Sequence, residues 1–352
     1  MSEYTLSQIK PTDRRATRQM DELLVKEGIE RDKNLDYSVG LFDEDYNLAA
    51  TGSCFCNTLR CLAVSSGHQG EGLLNQIISH LIEYQYGRGN TSLFLYTKCN
   101  TAKFFGDLGF YEIARVDQKV VFMENHRHGF SDYLAHLQQE TTASGKSGDR
   151  VGAVIMNANP FTLGHLYLVE QAASLVDLLH IFIVSEDVSL IPLDVRERLV
   201  REGTAHLNNL VYHQTGPYMI SNATFPSYFL KDSDTVIRSH AKLDICVFSK
   251  IAQALSITRR FVGEEPFSQV TGIYNQVMEE SLGSSGITLT VFPRKCDADG
   301  AISASKVRAL IQSGDLAGLK GKVPDSTYAY FVSPQAAPVI DRIRRSAEVI
   351  HY

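Results

Sequence analysis

The sequence predicts an α/β protein of two domains, the second built on a parallel sheet wound with helices. Three observations lead there. Residues 138–150 read QQETTASGKSGDR, polar and small with no apolar residue larger than Ala, which is linker composition. Beyond them, short apolar runs of strand type alternate with amphipathic helical stretches, and that alternation implies a sheet covered by helices on both faces. With 352 residues, 44% of them apolar and 21% charged, each half is long enough to bury its own core. The expected domains are residues 1–137 and 151–352, joined by the linker at 138–150.

In the first half the pattern predicts a helix over 12–27, then strands over 37–43, 48–55 and 59–64. A helix over 73–86, a strand over 92–97 and a short helix over 101–108 follow, leading into another strand. No internal repeat of 20–50 residues appears. In the second half, residues 151–156 form a short, fully apolar strand of the kind found inside parallel sheets. Residues 164–176 read as an amphipathic helix with Leu168, Ala172, Leu175 and Val176 on its apolar side. Strands over 178–184, 260–263 and 287–292, a helix over 270–282 and a last clear helix after Ile302 complete the reading.

Composition excludes some functions. A net charge of −6 gives no general attraction to nucleic acid or to an anionic membrane, so any anion must be held locally. No apolar run approaches the roughly 18–20 residues of a membrane span. Residues 1–10 lack the apolar core of a signal peptide, and a cytoplasmic location is expected. Four of the six cysteines (Cys54, Cys56, Cys61 and Cys99) crowd the first hundred residues. No Cys-x-x-Cys pair exists and no His stands at ligand spacing, so buried thiols are expected and no metal site.

One segment carries chemistry. Asn157-Ala-Asn159-Pro160-Phe161-Thr162-Leu-Gly164-His165 joins the first strand of the second half to its first helix. Ligands of open α/β sheets bind outside the carboxyl ends of strands, and a helix start offers free N–H groups and a positive dipole end to a phosphate. Thr162 can donate a hydroxyl and Gly164 can admit backbone to a ligand. His165 can donate to a phosphate oxygen and, when protonated, offset negative charge. The plainer alternative is a capped helix with His165 in its first turn. Farther on, Ser303-Ala-Ser305-Lys306-Val-Arg308 opens another helix, with Ser303 or Ser305 as N-cap and two basic residues beside it. Two such helix starts in one domain suit the two sides of a triphosphate. One of Arg196 and Arg198 could reach phosphate, but the pair reads first as a solvated helix face, and Glu264 reads as a nucleotide contact or a strand end. Residues 218–231 read as a pocket wall or core.

These two motifs resemble those of the nucleotidyltransferase superfamily, which has a Rossmann-like fold, over residues 151–330. The resemblance implies attack on the α-phosphate of ATP, with Thr162 and His165 stabilising the transition state. Ser303, Ser305 and Arg308 would hold the outer phosphates, with the charge of Lys306 close by; Asn157, Asn159, Phe161, Gly164 and Glu264 are this chain's further candidates for the nucleotide site. Mg²⁺ would arrive on the phosphates. The superfamily often carries His where Thr162 stands, so one potential cation is missing.

In the first half, Gln69-Gly70-Glu71-Gly72-Leu73-Leu74 and the later Leu108-Gly109-Phe110-Tyr111 resemble the acyl-CoA N-acetyltransferase fold. The resemblance implies a pyrophosphate-binding loop at Gln69, Gly70 and Gly72, with Leu74 replacing the usual last small residue. Together the halves resemble the citrate lyase ligases over nearly the whole chain. That implies activation of acetate as acetyl-AMP, with pyrophosphate released. The acetyl group then passes to the thiol of a dephospho-coenzyme A-type prosthetic group on the acyl carrier subunit of citrate lyase. The alternative is an adenylyltransferase that leaves AMP on a phosphorylated cofactor precursor.

Overall fold

The computed structural model describes residues 4–185, 189–219, 233–264 and 269–346. The chain divides into two compact units, Met1–Phe130 with Thr224–Cys246, and Ser131–Ala223 with Val247–Tyr352.

The first unit runs β1 (Thr5–Gln8), α1 (Arg14–Lys26), β2 (Tyr37–Phe42), β3 (Leu48–Phe55), β4 (Thr58–Val64), α2 (Leu73–Gly87), β5 (Phe94–Thr97), α3 (Ala102–Asp107), β6 (Tyr111–Val116) and β7 (Val120–Glu124). Asp13 caps α1 by accepting the Ala16 N–H, and Ala16, Met20, Leu23 and Leu24 bury one stripe. In α2 the buried stripe is Leu73, Ile77, Ile78 and Leu81. The strands form one mixed sheet in the order β1-β2-β3-β4-β5-β7-β6. Its single parallel pair, β4 with β5, is matched only at Thr58↔Phe94 and Leu59↔Leu95. Cys54 and Cys61 are the buried thiols expected from the sequence, whereas Cys56 and Cys296 are exposed.

The second unit takes up most of α4 (Gly129–Ala143), then β8 (Val151–Met156), α5 (Leu163–Ser174), β9 (Leu178–Ile183), α6 (Leu193–Gly203) and β10 (Leu210–Gln214). The end of α7 (Ser233–Ala254), β11 (Arg259–Gly263), α8 (Gln269–Leu282), β12 (Thr288–Phe292), β13 (Cys296–Asp297), β14 (Gly300–Ala301), α9 (Ala304–Ser313), α10 (Asp325–Val332) and α11 (Ala337–Arg345) follow. Five strands lie in the order β10-β9-β8-β11-β12, every pair parallel. The chain winds outward from β8 to β10, then returns to β11 on the other side of β8. That reversal opens a crevice at the carboxyl ends of β8 and β11. Val154, Phe161, Val169, Ile181, Phe261 and Val307 share the core beneath it.

Residues 138–143, expected as linker, continue α4 instead. Small residues do not forbid a helix, and Leu137 buries itself on that one. Leu175 also departs from expectation: α5 stops at Ser174, and Leu175 is its 38% exposed C-cap. Among the described residues no helix is long and apolar enough to cross a membrane.

Candidate active site

Thr162 is the N-cap of α5 and accepts the His165 N–H at 3.3 Å. His165 reciprocates, its Nδ1 accepting the Thr162 N–H at 3.1 Å, which completes a capping box with a histidine in the usual Glu position. An N–H can donate only to an unprotonated nitrogen, so the proton of neutral His165 sits on Nε2. Burial, and then the charge of Arg294, push the His165 pKa down to about 4. Of the two forms the sequence allowed, the protein alone thus favours the uncharged donor near neutrality, with its proton on Nε2.

The helix start is less open than the sequence suggested. The Leu163 N–H goes to the Lys322 carbonyl at 2.9 Å and the Leu166 N–H to the Thr162 carbonyl at 3.0 Å. Among the described residues, the Gly164 N–H is the first-turn amide of α5 without a protein acceptor. Gly164 serves packing as well. A Cβ there would stand 3.0 Å from the Ile302 carbonyl, so its absence lets the two motifs touch. Directly after Ile302, Ser303 caps α9 by accepting the Lys306 N–H at 3.3 Å, and its hydroxyl meets that of Ser305 at 2.9 Å. The amides of Ala304 and Ser305 have no protein acceptor among the described residues. Two helix starts, far apart in sequence, thus present amides on one patch.

Other expected residues are placed differently. Phe161 is fully buried and stacks with the His165 ring at 5.9 Å, so it supports the histidine from the core and offers no surface to a nucleotide. Asn159 is 3% exposed; its Oδ1 accepts the Ile191 N–H and its carbonyl accepts an Arg308 N–H at 2.7 Å. Arg308, itself buried, is therefore a strut between α9 and the loop after β8 and not an open helix-start cation. Lys306 is exposed and donates to the Asp299 carbonyl at 2.9 Å. Glu264 extends β11 by one residue, its N–H meeting the Phe292 carbonyl, and its side chain is exposed. Residues 220–231 of the expected pocket wall lie outside the described residues.

Arg196 overturns its reading as a solvated residue. It is fully buried, with Nε donating to Ile191 and one terminal nitrogen to the Asn157 carbonyl, Asn157 Oδ1 and the Val184 carbonyl at 2.6–3.0 Å. It braces the ends of β8 and β9. Its signal was available in the spacing: Arg196 lies three residues after Leu193 and three and four before the buried Leu199 and Val200, on the apolar face of α6. Arg198 lies over the Tyr330 ring.

In the first unit, β4 and β5 part beyond their short pairing and enclose a cavity of about 560 Å³. Gln69, Gly70, Gly72, Leu74, Tyr96 and Lys98 are among its lining residues. Gly70 and Gly72 take φ of +89° and +77°, and Gly72 begins α2 with no side-chain cap. Leu74 both lines the cavity and packs against the sheet core.

The second unit thus has the form of an α/β enzyme whose phosphate-competent helix starts meet at the switch point of a parallel sheet. The family profile of the citrate lyase ligase C-terminal domain matches residues 151–331. The chain is 38% identical to the citrate (pro-3S)-lyase ligase of Klebsiella pneumoniae, across 81% of this chain and 84% of that one. The Escherichia coli enzyme of the same name is 37% identical across 86% and 87%. This chain belongs to the citrate lyase ligase family of enzymes. A solved acetyltransferase of the GNAT family from Staphylococcus aureus aligns with 35% of this chain and 98% of its own, at 13% identity and a TM-score of 0.31.

Proposed function

We propose that the protein is an ATP-dependent acetate ligase that acetylates the prosthetic-group thiol of the citrate lyase acyl carrier subunit and thereby activates citrate lyase. The observation that carries the catalytic reading is the contact of Gly164 with the Ile302 carbonyl, which brings the amides of α5 and α9 to one patch beside His165. In the first half-reaction an acetate oxygen attacks the α-phosphorus of ATP. A phosphorus–oxygen bond to acetate forms, and the bond to the β-phosphate oxygen breaks, releasing pyrophosphate. His165 Nε2–H and the Gly164 amide serve the α-phosphate, and Ser303, Ser305 and the α9 amides serve the outer phosphates. Thr162 orients His165, while Arg308, Asn157 and Asn159 hold the loop. Catalysis is positioning and charge stabilisation, with no covalent enzyme intermediate.

In the second half-reaction the carrier thiolate attacks the acetyl carbon and AMP leaves, the thiol proton passing to solvent or base. The cavity of the first unit is the proposed dock for the carrier's dephospho-coenzyme A-type arm, its diphosphate at Gln69, Gly70 and Gly72. Mg²⁺ comes with ATP as part of the substrate. A cytoplasmic enzyme fits these substrates.

ATP–pyrophosphate exchange tests the reading, and it should require acetate. Exchange supported by a phosphorylated cofactor precursor and indifferent to acetate would replace the ligase by an adenylyltransferase. Gly70→Val with Gly72→Val should raise the KM for carrier and leave exchange intact; an unchanged carrier KM would remove the docking role.

A further inference from the structure

Arg294 belongs to no motif read from the sequence, yet the fold carries it to the same patch. It stands two residues beyond β12, which ends at Phe292. The Phe292 carbonyl accepts the Glu264 N–H at 2.8 Å, and Arg294 Nε donates to the Glu264 carbonyl at 2.8 Å. These bonds hold Arg294 at the carboxyl ends of the neighbouring strands β11 and β12. The next residue, Lys295, accepts the Ile302 N–H at 3.0 Å. The carbonyl of that same Ile302 is the one that touches Gly164, and Ser303 follows it as the cap of α9. Arg294 is thereby tied to both helix starts through one residue. Its charge is felt at His165, where it adds to the effect of burial.

The pairing divides the labour of the site. His165 is neutral and gives a hydrogen bond without charge. A triphosphate brings several negative charges, and the departing pyrophosphate gains one more at the bridging oxygen. A guanidinium stays charged at any working pH and offers planar paired donors to phosphate oxygens. We infer that Arg294 binds the phosphate chain of the nucleotide and takes up the charge of the pyrophosphate as it leaves. This rests on the ligase reading and adds the residue that supplies the positive charge.

The test uses the full-length enzyme and inorganic pyrophosphate, with AMP as the control ligand. Arg294→Gln should raise the pyrophosphate KM in exchange, and the calorimetric Kd for pyrophosphate, about tenfold or more, the loss of one charge-assisted contact. Affinity for AMP should change far less, and Arg294→Lys should restore part of the pyrophosphate affinity. Pyrophosphate binding equal to wild type in Arg294→Gln would overturn the inference and leave the ligase reading standing. Parallel loss of pyrophosphate and AMP in both variants would also overturn it, since that marks a structural role. A wild-type enzyme that binds neither ligand would remove the ligase reading and this inference together. Should Arg294→Gln not fold, Arg294→Lys judged on pyrophosphate against AMP decides in the same terms.

Discussion

The loop before α2 and the loop before α5 both lead toward a helix that packs on a sheet, but only the second fills the helix start with side chains. Gly72 begins α2 without a side-chain cap, and a Cβ on Gly70 or Gly72 would meet nothing within 4 Å. Before α5, Thr162, His165 and the Lys322 carbonyl occupy amide after amide, and Gly164 is closed in against Ile302. The first arrangement is an open backbone lining a cavity. The second is a rigid constellation that spends most of its hydrogen bonds on holding one imidazole still. A site that docks a long arm needs room, whereas a site that stabilises a transition state needs fixed donors.

Five substitutions break or sharpen that contrast, beginning with the greatest effect expected. His165→Ala should lower kcat of acetate-dependent exchange by about 10²–10³, as removal of one fixed donor does elsewhere, with little change in the KM for ATP. A KM effect alone would assign His165 to ground-state binding. Arg196→Met should destabilise the protein by about 2–4 kcal/mol, because the buried carbonyl of Ile191 and the part-buried carbonyls of Asn157 and Val184 lose a donor. Urea titration followed by far-UV circular dichroism suits a chain with no Trp, and an unshifted midpoint would count against the brace.

Gly164→Ala should cost about 1–3 kcal/mol and reduce exchange, since its Cβ meets backbone at 3.0 Å. Gly72→Ala should cost only about 1–2 kcal/mol, from its left-handed φ of +77°, and leave exchange alone. Equal losses of exchange in the two variants would erase the distinction between rigid and open junctions. The last effect is a slope with pH. His180 is fully buried, its Nδ1 2.9 Å from His213 Nε2, while His213 Nδ1 meets Glu140 at 2.6 Å. Burial and then His213 push the His180 pKa down to about 3; burial lowers that of His213 against the pull of Glu140. The unfolded chain therefore binds these protons first. Stability is fully present above an unfolded value near 6.5 and is lost as pH falls toward about 3, by about 1.4 kcal/mol per pH unit for each proton. His180→Leu should flatten the slope of Tm between pH 6.5 and 5; a slope unchanged from wild type would show that other groups set it.

Much of this was legible in the order of residues. Apolar runs such as Val151–Met156 and the stripe of α2 announce strands and helices because burial repeats with the period of each element. Small polar caps announce helix starts, so Thr162 and Ser303 could be found by eye. α4 was missed because its exposed polar turns look like linker, and β10 because five residues carry too little periodicity. Side-chain accounting was far less legible, Arg196 alone leaving a signal in its spacing on the apolar face of α6. Phe161 and Arg308 sit in the right motifs yet are buried, while Arg196 sits in none yet braces the loop after β8, and Arg294 sits in none yet is held at the ends of β11 and β12.

The sequence by itself determined the α/β fold class, the positions of the helix starts and the residue types able to meet phosphate, because those follow from local patterns. Only the tertiary structure decided that Gly164 meets Ile302, that His165 is uncharged, and which arginines are struts. Those outcomes depend on which atoms surround a group once strands distant in sequence lie side by side. Burial, charge and hydrogen-bond partners are properties of that neighbourhood and not of the residue.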